Sequence, residues 1–180
     1  MWDSLHLIDA YPPPGERALA AVLAPLYEDD SGEIRVVLTK RPDTMPTHAG
    51  HIAFPGGRAH PEDDGPVDTA LREAHEEVGI ERDQVEVLGF LPAIDTVEFS
   101  PLVVPVVGRV STPLGLVLSE REVVKVYTPL LMDLAEESRW WSVPWDGRQV
   151  WYYELEGDTL WGATAWMIRT MLGLAEESAD

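Results

Sequence analysis

The amino-acid sequence predicts a single α/β domain in which strands and three helices pack in layers. A nearly unbroken apolar run from Arg17 to Tyr27 has the pattern of a strand covered on both faces. Val67, Ala70, Leu71, Ala74 and Val78 recur at helical spacing. Several shorter apolar segments are each bounded by turn residues, as strands are. With 180 residues, the chain fits one domain over 1–180 and is long enough to bury a proper core. No internal repeat or low-complexity linker divides it.

Taken in order, a Pro-rich turn over Tyr11 to Gly15 precedes the first strand. Asp29-Asp30-Ser31-Gly32 is a strong turn signal, so Glu33 to Lys40 is expected as an adjacent strand. Arg41 to Arg58 is rich in Pro, Gly and His and reads as a loop with a short extended piece; loops carry chemistry disproportionately. A helix over Val67 to Val78 follows, started by Gly65-Pro66 and stopped by Gly79 in a left-handed conformation. Val85 to Leu91 and Leu102 to Val110 are further strands, and Pro105 should restrict the second to an edge or a bulge. Val123 to Tyr127 is another strand, and Pro129 to about Glu137 a second helix. The Trp-rich stretches at 139–144 and 149–155 suggest a hairpin turning near Asp146-Gly147. A last helix over Thr159 to Leu174 would put Trp161, Ala165, Ile168 and Leu172 on one face.

Composition limits function. The 32 Asp and Glu against 13 Lys and Arg give a net charge of -19, which repels nucleic-acid backbones and anionic membranes. A small phosphorylated substrate would also be repelled unless divalent cations or local Arg and His groups intervene. With no cysteine, thiolate metal sites, thiol nucleophiles and disulfides are excluded, leaving oxygen or imidazole as metal ligands. The N-terminus lacks the basic start and apolar core of a signal peptide, and no stretch approaches about 18 consecutive apolar residues. A cytoplasmic protein is expected.

On the predicted helix, Glu73 lies three residues from Glu76 and four from Glu77, so their side chains are neighbours away from the apolar face. An acidic triplet on a helix is ordinarily a solvated face. Close carboxylates nevertheless repel one another unless a cation compensates, and hard oxygen ligands suit Mg²⁺ or Mn²⁺. Arg72 can orient one carboxylate, with Glu76 at four residues' distance the expected partner.

The setting of the triplet is more specific. Arg72-Glu73-Ala74-His75-Glu76-Glu77-Val78-Gly79-Ile80, with Pro55-Gly56-Gly57 upstream, resembles the signature of the Nudix hydrolases. Counted back from Arg72, the family's ordinary spacing puts its first glycine at Arg58 and its isolated glutamate at Asp64; here Gly57 stands one residue early. The branch resembling coenzyme A pyrophosphatases carries such a one-residue extension, with an aspartate for that glutamate, here Asp63. Leu38, Thr39, Arg41, Gly50 and Phe54-Pro55-Gly56-Gly57, and later Trp161 to Ala165, are also similar to that branch. Pro42 departs from its usual Ser or Ala and Pro46 from its common Arg, which removes a phosphate contact.

The resemblance implies an α/β/α sandwich with a mixed β-sheet, acting on a nucleoside diphosphate linked to another group. Mg²⁺ or Mn²⁺ would be held by Glu73, Glu76, Glu77 and the Gly57 carbonyl. Arg41, His48 and Gly56 are the expected substrate contacts; the Arg41 guanidinium suits a phosphate through paired hydrogen bonds. The group that takes the proton from water is open between Glu76 and Glu122, with Glu98 a further option. A coenzyme A substrate, ADP-ribose or a related compound, and a non-catalytic nucleotide-binding module are the readings to be separated. His75, between two helix faces, is expected to be structural; the tryptophans concentrated after residue 139 are expected mainly in the core, with an adenine-stacking wall or a dimer interface as the alternatives, and none is assigned to the site. A homodimer is compatible with the family's habit.

Overall fold

The computed structural model describes residues 1–11, 19–45, 47–95 and 101–174. The Pro-rich turn, Pro46 and Glu98 fall wholly or largely outside them. β1 (Leu19–Glu28) is buried along most of its length, as its apolar run predicts. The expected single strand 33–40 instead divides at Val37 into β2 (Ile34–Val36) and β3 (Leu38–Lys40). β2 pairs with β1, but opposite Val37 stands Pro25, which accepts the Val37 N–H and has none to return. The ladder ends there and β3 joins another sheet.

The loop after β3 contains β4 (Ile52–Ala53) and β5 (Gly56–Arg58). Helix α1 (Pro66–Val78) starts and ends as predicted: Pro66 opens it, and Gly79 closes it at φ 73°, its N–H bonded to the His75 carbonyl. Then come β6 (Val85–Phe90), β7 (Ile94–Asp95) and β8 (Leu102–Val110). β1 and β8 pair in parallel, β2, β5, β6 and β7 add antiparallel partners, and the result is a mixed six-stranded sheet ordered β2-β1-β8-β6 along its main path.

Pro105 is therefore in a central strand rather than on an edge. Its carbonyl accepts Leu91 N–H on the side away from β1, where β8's neighbour passes from β6 at Val106 to β7 at Val103. Pro105 has no N–H to return to Leu91, so the β6 ladder stops there and β7 takes over as partner, as the β2 ladder stops opposite Pro25.

β9 (Lys125–Tyr127) completes a small sheet in the order β4-β3-β9. The second helix, expected from Pro129, is confined to α2 (Leu131–Ala135). Pro129 accepts a hydrogen bond from Val36 and Leu130 bridges to Arg35, so sheet pairing claims both residues first. β10 (Trp140–Trp145) and β11 (Arg148–Leu155) form the predicted hairpin, with Asp146 and Gly147 both at positive φ. The last helix is shorter than expected. Thr159 to Trp161, expected as its first residues, belong to β12 (Asp158–Trp161), paired to β11 after a Glu156-Gly157 turn, and α3 (Gly162–Met171) follows.

Two apolar clusters lie on opposite faces of the central sheet. Ala70, Leu71, Ala74 and Val78 of α1 pack with Ala21, Leu23, Val104 and Val106. On the other face Ala24, Leu26 and Val107 share a cluster with Tyr153, Leu160, Ala165 and Ile168. The α/β/α layering follows from this two-sided burial of β1 and β8. The tryptophans divide differently from expectation: Trp140 is buried, whereas Trp141, Trp145 and Trp161 are exposed.

Candidate active site

The carboxylates on α1 differ in setting because the helix is rolled onto the sheet. Glu77 points inward and is only 4% exposed; Glu73 is half-buried and Glu76 is exposed. Burial pushes the Glu77 carboxyl up to about 8, partly opposed by Arg41, whose Nη1 is 3.9 Å from Glu77 Oε1. Burial likewise raises Glu73, against the pull of Arg72. The negative charge of Glu122 adds to the upward shift of both.

Glu122 reaches this position through its loop. Val117 N–H and Ser119 N–H bond to the carbonyls of Val78 and Glu77 at the end of α1. Glu122 N–H then bonds back to Ser119, and Val124 N–H bonds to Lys40 beside Arg41. The loop thus spans from α1 to β3 and carries Glu122 between them.

Arg72 is the organising cation, although its main partner is not the expected Glu76. Its Nε and Nη2 each lie 3.0 Å from an oxygen of Asp63, a paired fork that also bonds Nη2 to the Arg58 carbonyl. Nη1 reaches Glu73 at 2.8 Å and Glu76 at 3.3 Å. The loop brings Asp63 side-on to the guanidinium, whereas Glu76, four residues along the helix, meets only its tip. His60 N–H and the Thr69 hydroxyl also donate to Asp63, and this setting, led by Arg72, holds its carboxyl well below the usual range. The next residue, Asp64, donates its N–H to Asp68 instead.

Two glycines allow close approach. A Cβ at Gly57 would fall 2.6 Å from the Glu73 carboxylate, and one at Gly56 would fall 2.5 Å from the Ala21 carbonyl. The β5 backbone can therefore lie between β1 and the acidic face of α1, with Gly56 N–H turned toward Glu77 at 3.4 Å.

The donor chemistry fits a hard divalent cation. Carboxylate oxygens gather beside backbone, and among the described residues the buried Glu77 has Arg41, at 3.9 Å, for countercharge. Among the described residues no three acidic or His groups converge on one metal position as they stand, because Arg72 draws Glu73 and Glu76 while Arg41 faces Glu77. The Arg41 Nε is buried and has no hydrogen-bond partner among the described residues. A cation among the glutamates and an anion beside Arg41 would answer both conditions.

His48 is exposed at φ 52°, with its ring 5.4 Å from that of His51. His75 is also exposed and lies 3.5 Å from Glu81, so it does not have the packed structural position expected. Sequence reasoning missed the Lys40–Asp158–Tyr127 cluster, in which both Lys40 and Tyr127 bond to Asp158 and tie β12 to β3 next to Arg41. Lys40 and Asp158 are 118 positions apart, and nothing local in the sequence marks them as partners.

The NUDIX domain family model matches residues 17–143. The chain belongs to the Nudix hydrolase family. It is 38% identical over 159 residues to a protein named "Uncharacterized Nudix hydrolase NudL" from Enterobacter sp. (strain 638), covering 86% of this chain and 81% of that one. A protein of the same name from Photorhabdus laumondii is 37% identical over 169 residues, covering 89% of each chain. Among solved structures, a MutT/nudix family protein from Enterococcus faecalis superposes with a TM-score of 0.61 at 17% identity, covering 89% of this chain and 62% of that one. An Ap4A hydrolase from C. elegans superposes with a TM-score of 0.53 at 22% identity, covering 64% and 82%. At these identities the structures show a shared fold. No helix among the described residues is long and apolar enough to cross a membrane.

Proposed function

We propose that the protein hydrolyses the pyrophosphate bond of coenzyme A or its derivatives, giving adenosine 3′,5′-bisphosphate and 4′-phosphopantetheine. The observation that supports this substrate is the fork between Arg72 and Asp63. It favours the alignment with a one-residue extension, in which this chain resembles the coenzyme A branch, because Asp63 and not Asp64 meets the arginine.

Mg²⁺ or Mn²⁺ held by Glu73, Glu76, Glu77 and the Gly57 carbonyl would neutralise the pyrophosphate and lower the pKa of an attacking water. Arg72 positions Glu73 and Glu76 for that role. Arg41, whose Nε has no hydrogen-bond partner among the described residues, would contact a phosphate oxygen, with His48 and Gly56 as the further substrate contacts. Glu122 is the better placed proton acceptor, since Glu76 is engaged by Arg72 and would share its charge with metal. Water adds at phosphorus, its proton passes to Glu122, and the bridging oxygen leaves with the other phosphate.

Pro42 is buried at the start of the substrate loop where the coenzyme A branch has a small polar or Ala residue, and this favours ADP-ribose or another nucleoside diphosphate derivative as a second reading. Incubation with Mg²⁺ or Mn²⁺ and a panel of coenzyme A, ADP-ribose, NADH and diadenosine polyphosphates, with product identification, separates them. Preferential cleavage of coenzyme A is expected. Binding without turnover of any compound would instead indicate a nucleotide-binding module.

A further inference from the structure

The face of the β10-β11-β12 sheet turned away from the core carries aromatic rings in cross-strand register. Trp141 lies opposite Tyr152, and Tyr152 opposite Trp161. Neighbouring ring planes are within 14° and 12° of parallel, with centroids 5.8 and 6.1 Å apart. Trp141 and Trp161, at the two ends, are exposed. Beyond Trp161 the His51 ring follows at 4.7 Å. His51 in turn accepts the Arg41 N–H through its carbonyl, and Arg41 faces Glu77. The row of rings therefore runs from the open sheet face to the loop of the candidate active site. The Lys40–Asp158 ion pair fixes β12, and with it Trp161, relative to the strand that leads into Arg41.

We propose that the Trp141–Tyr152–Trp161 row is a stacking platform for the nucleobase of the substrate whose phosphates lie at Arg41 and the α1 carboxylates. This inference rests on the pyrophosphatase reading of that site. A flat heteroaromatic ring matches parallel aromatic faces and stacks on them without needing a particular hydrogen-bond pattern. Charge points the same way: on a chain of net charge -19, the uncharged base is the part of an anionic nucleotide that an apolar face accepts. A second copy of this chain is a poorer occupant, because it brings the same charge to the interface. Trp141 lies within residues 17–143, which the family model matches, and Tyr152 and Trp161 lie beyond them.

The test reads binding and turnover separately. Adenosine, which has a base and no phosphate, is titrated into the metal-free protein while tryptophan fluorescence is followed. Saturable quenching is expected, lost in Trp161→Ala and retained in Trp161→Phe. In turnover of whichever diphosphate substrate the enzyme accepts, Trp161→Ala and Trp141→Ala should raise KM about tenfold, while kcat changes much less. Trp161→Phe should restore KM. Trp141 is exposed, so its variant remains informative if Trp161→Ala does not fold.

Absent quenching together with unchanged KM in the Ala variants overturns the platform and leaves the pyrophosphatase reading standing. A dimer in sedimentation that Trp141→Ala dissolves with KM unchanged overturns it in favour of self-association. Adenosine binding that depends on Trp161, in a protein that cleaves no substrate of the panel, supports the platform and removes the pyrophosphatase reading.

Discussion

Glu77 concentrates the chemical tension of the molecule: a carboxyl almost fully buried, with one arginine 3.9 Å away and two other carboxylates adding negative field. Replacing it by Gln keeps the shape and removes the charge, and turnover should fall at least about a hundredfold, measured as kcat under saturating metal. Its titration gives a second expectation. The ordinary value of 4.5 is raised to about 8 on folding, so between those values the folded metal-free protein holds a proton that the unfolded chain has released. Stability contributed by this group therefore falls as pH rises through that window. Thermal denaturation in EDTA should show wild type losing stability relative to Glu77→Gln between about pH 5 and pH 8. Added Mg²⁺ or Mn²⁺ should reverse the loss at pH 8 and release protons, which calorimetry in two buffers detects. Parallel pH curves for the two proteins would contradict the burial argument.

At the scale of elements, α1 serves as a platform whose two faces do different work. Its apolar face is fixed by packing on β1 and β8, and its acidic face is fixed by Arg72, Asp63 and the β5 backbone. Asp63→Asn leaves Arg72 half-paired, and unfolding at neutral pH should show a loss of roughly 2 kcal/mol. Because folding lowers the Asp63 pKa, its contribution is present above the unfolded value of 3.8 and disappears as pH falls below it. The variant and wild type should therefore converge in strong acid. Gly57→Ala tests the other contact. Its Cβ would displace the Glu73 carboxylate, so metal affinity measured by calorimetry should weaken more than Tm falls.

The molecule as a whole carries a net charge of -19, and its self-repulsion is a long-range cost of folding. Raising ionic strength from about 10 mM to about 150 mM shortens the screening length to about 8 Å and should raise Tm; a flat response would mean that local pairs already compensate the charge. The sequence by itself determined what depends on neighbours along the chain. The apolar run of β1, the period of α1, the Gly79 stop, the Asp146-Gly147 hairpin turn and the adjacency of Glu73, Glu76 and Glu77 all follow from local spacing and turn chemistry. The tertiary structure decided where distant groups compete for the same partner. Pro25 ends the β2 ladder at Val37, β11 draws residues 159–161 out of a helical pattern, and the loop from Val117 to Val124 brings Glu122 beside Glu73 and Glu77. Asp63 takes the fork of Arg72 that spacing had assigned to Glu76. Periodicity records which face of an element is apolar, but a hydrogen bond or ion pair forms with whichever group the packed layers bring within reach.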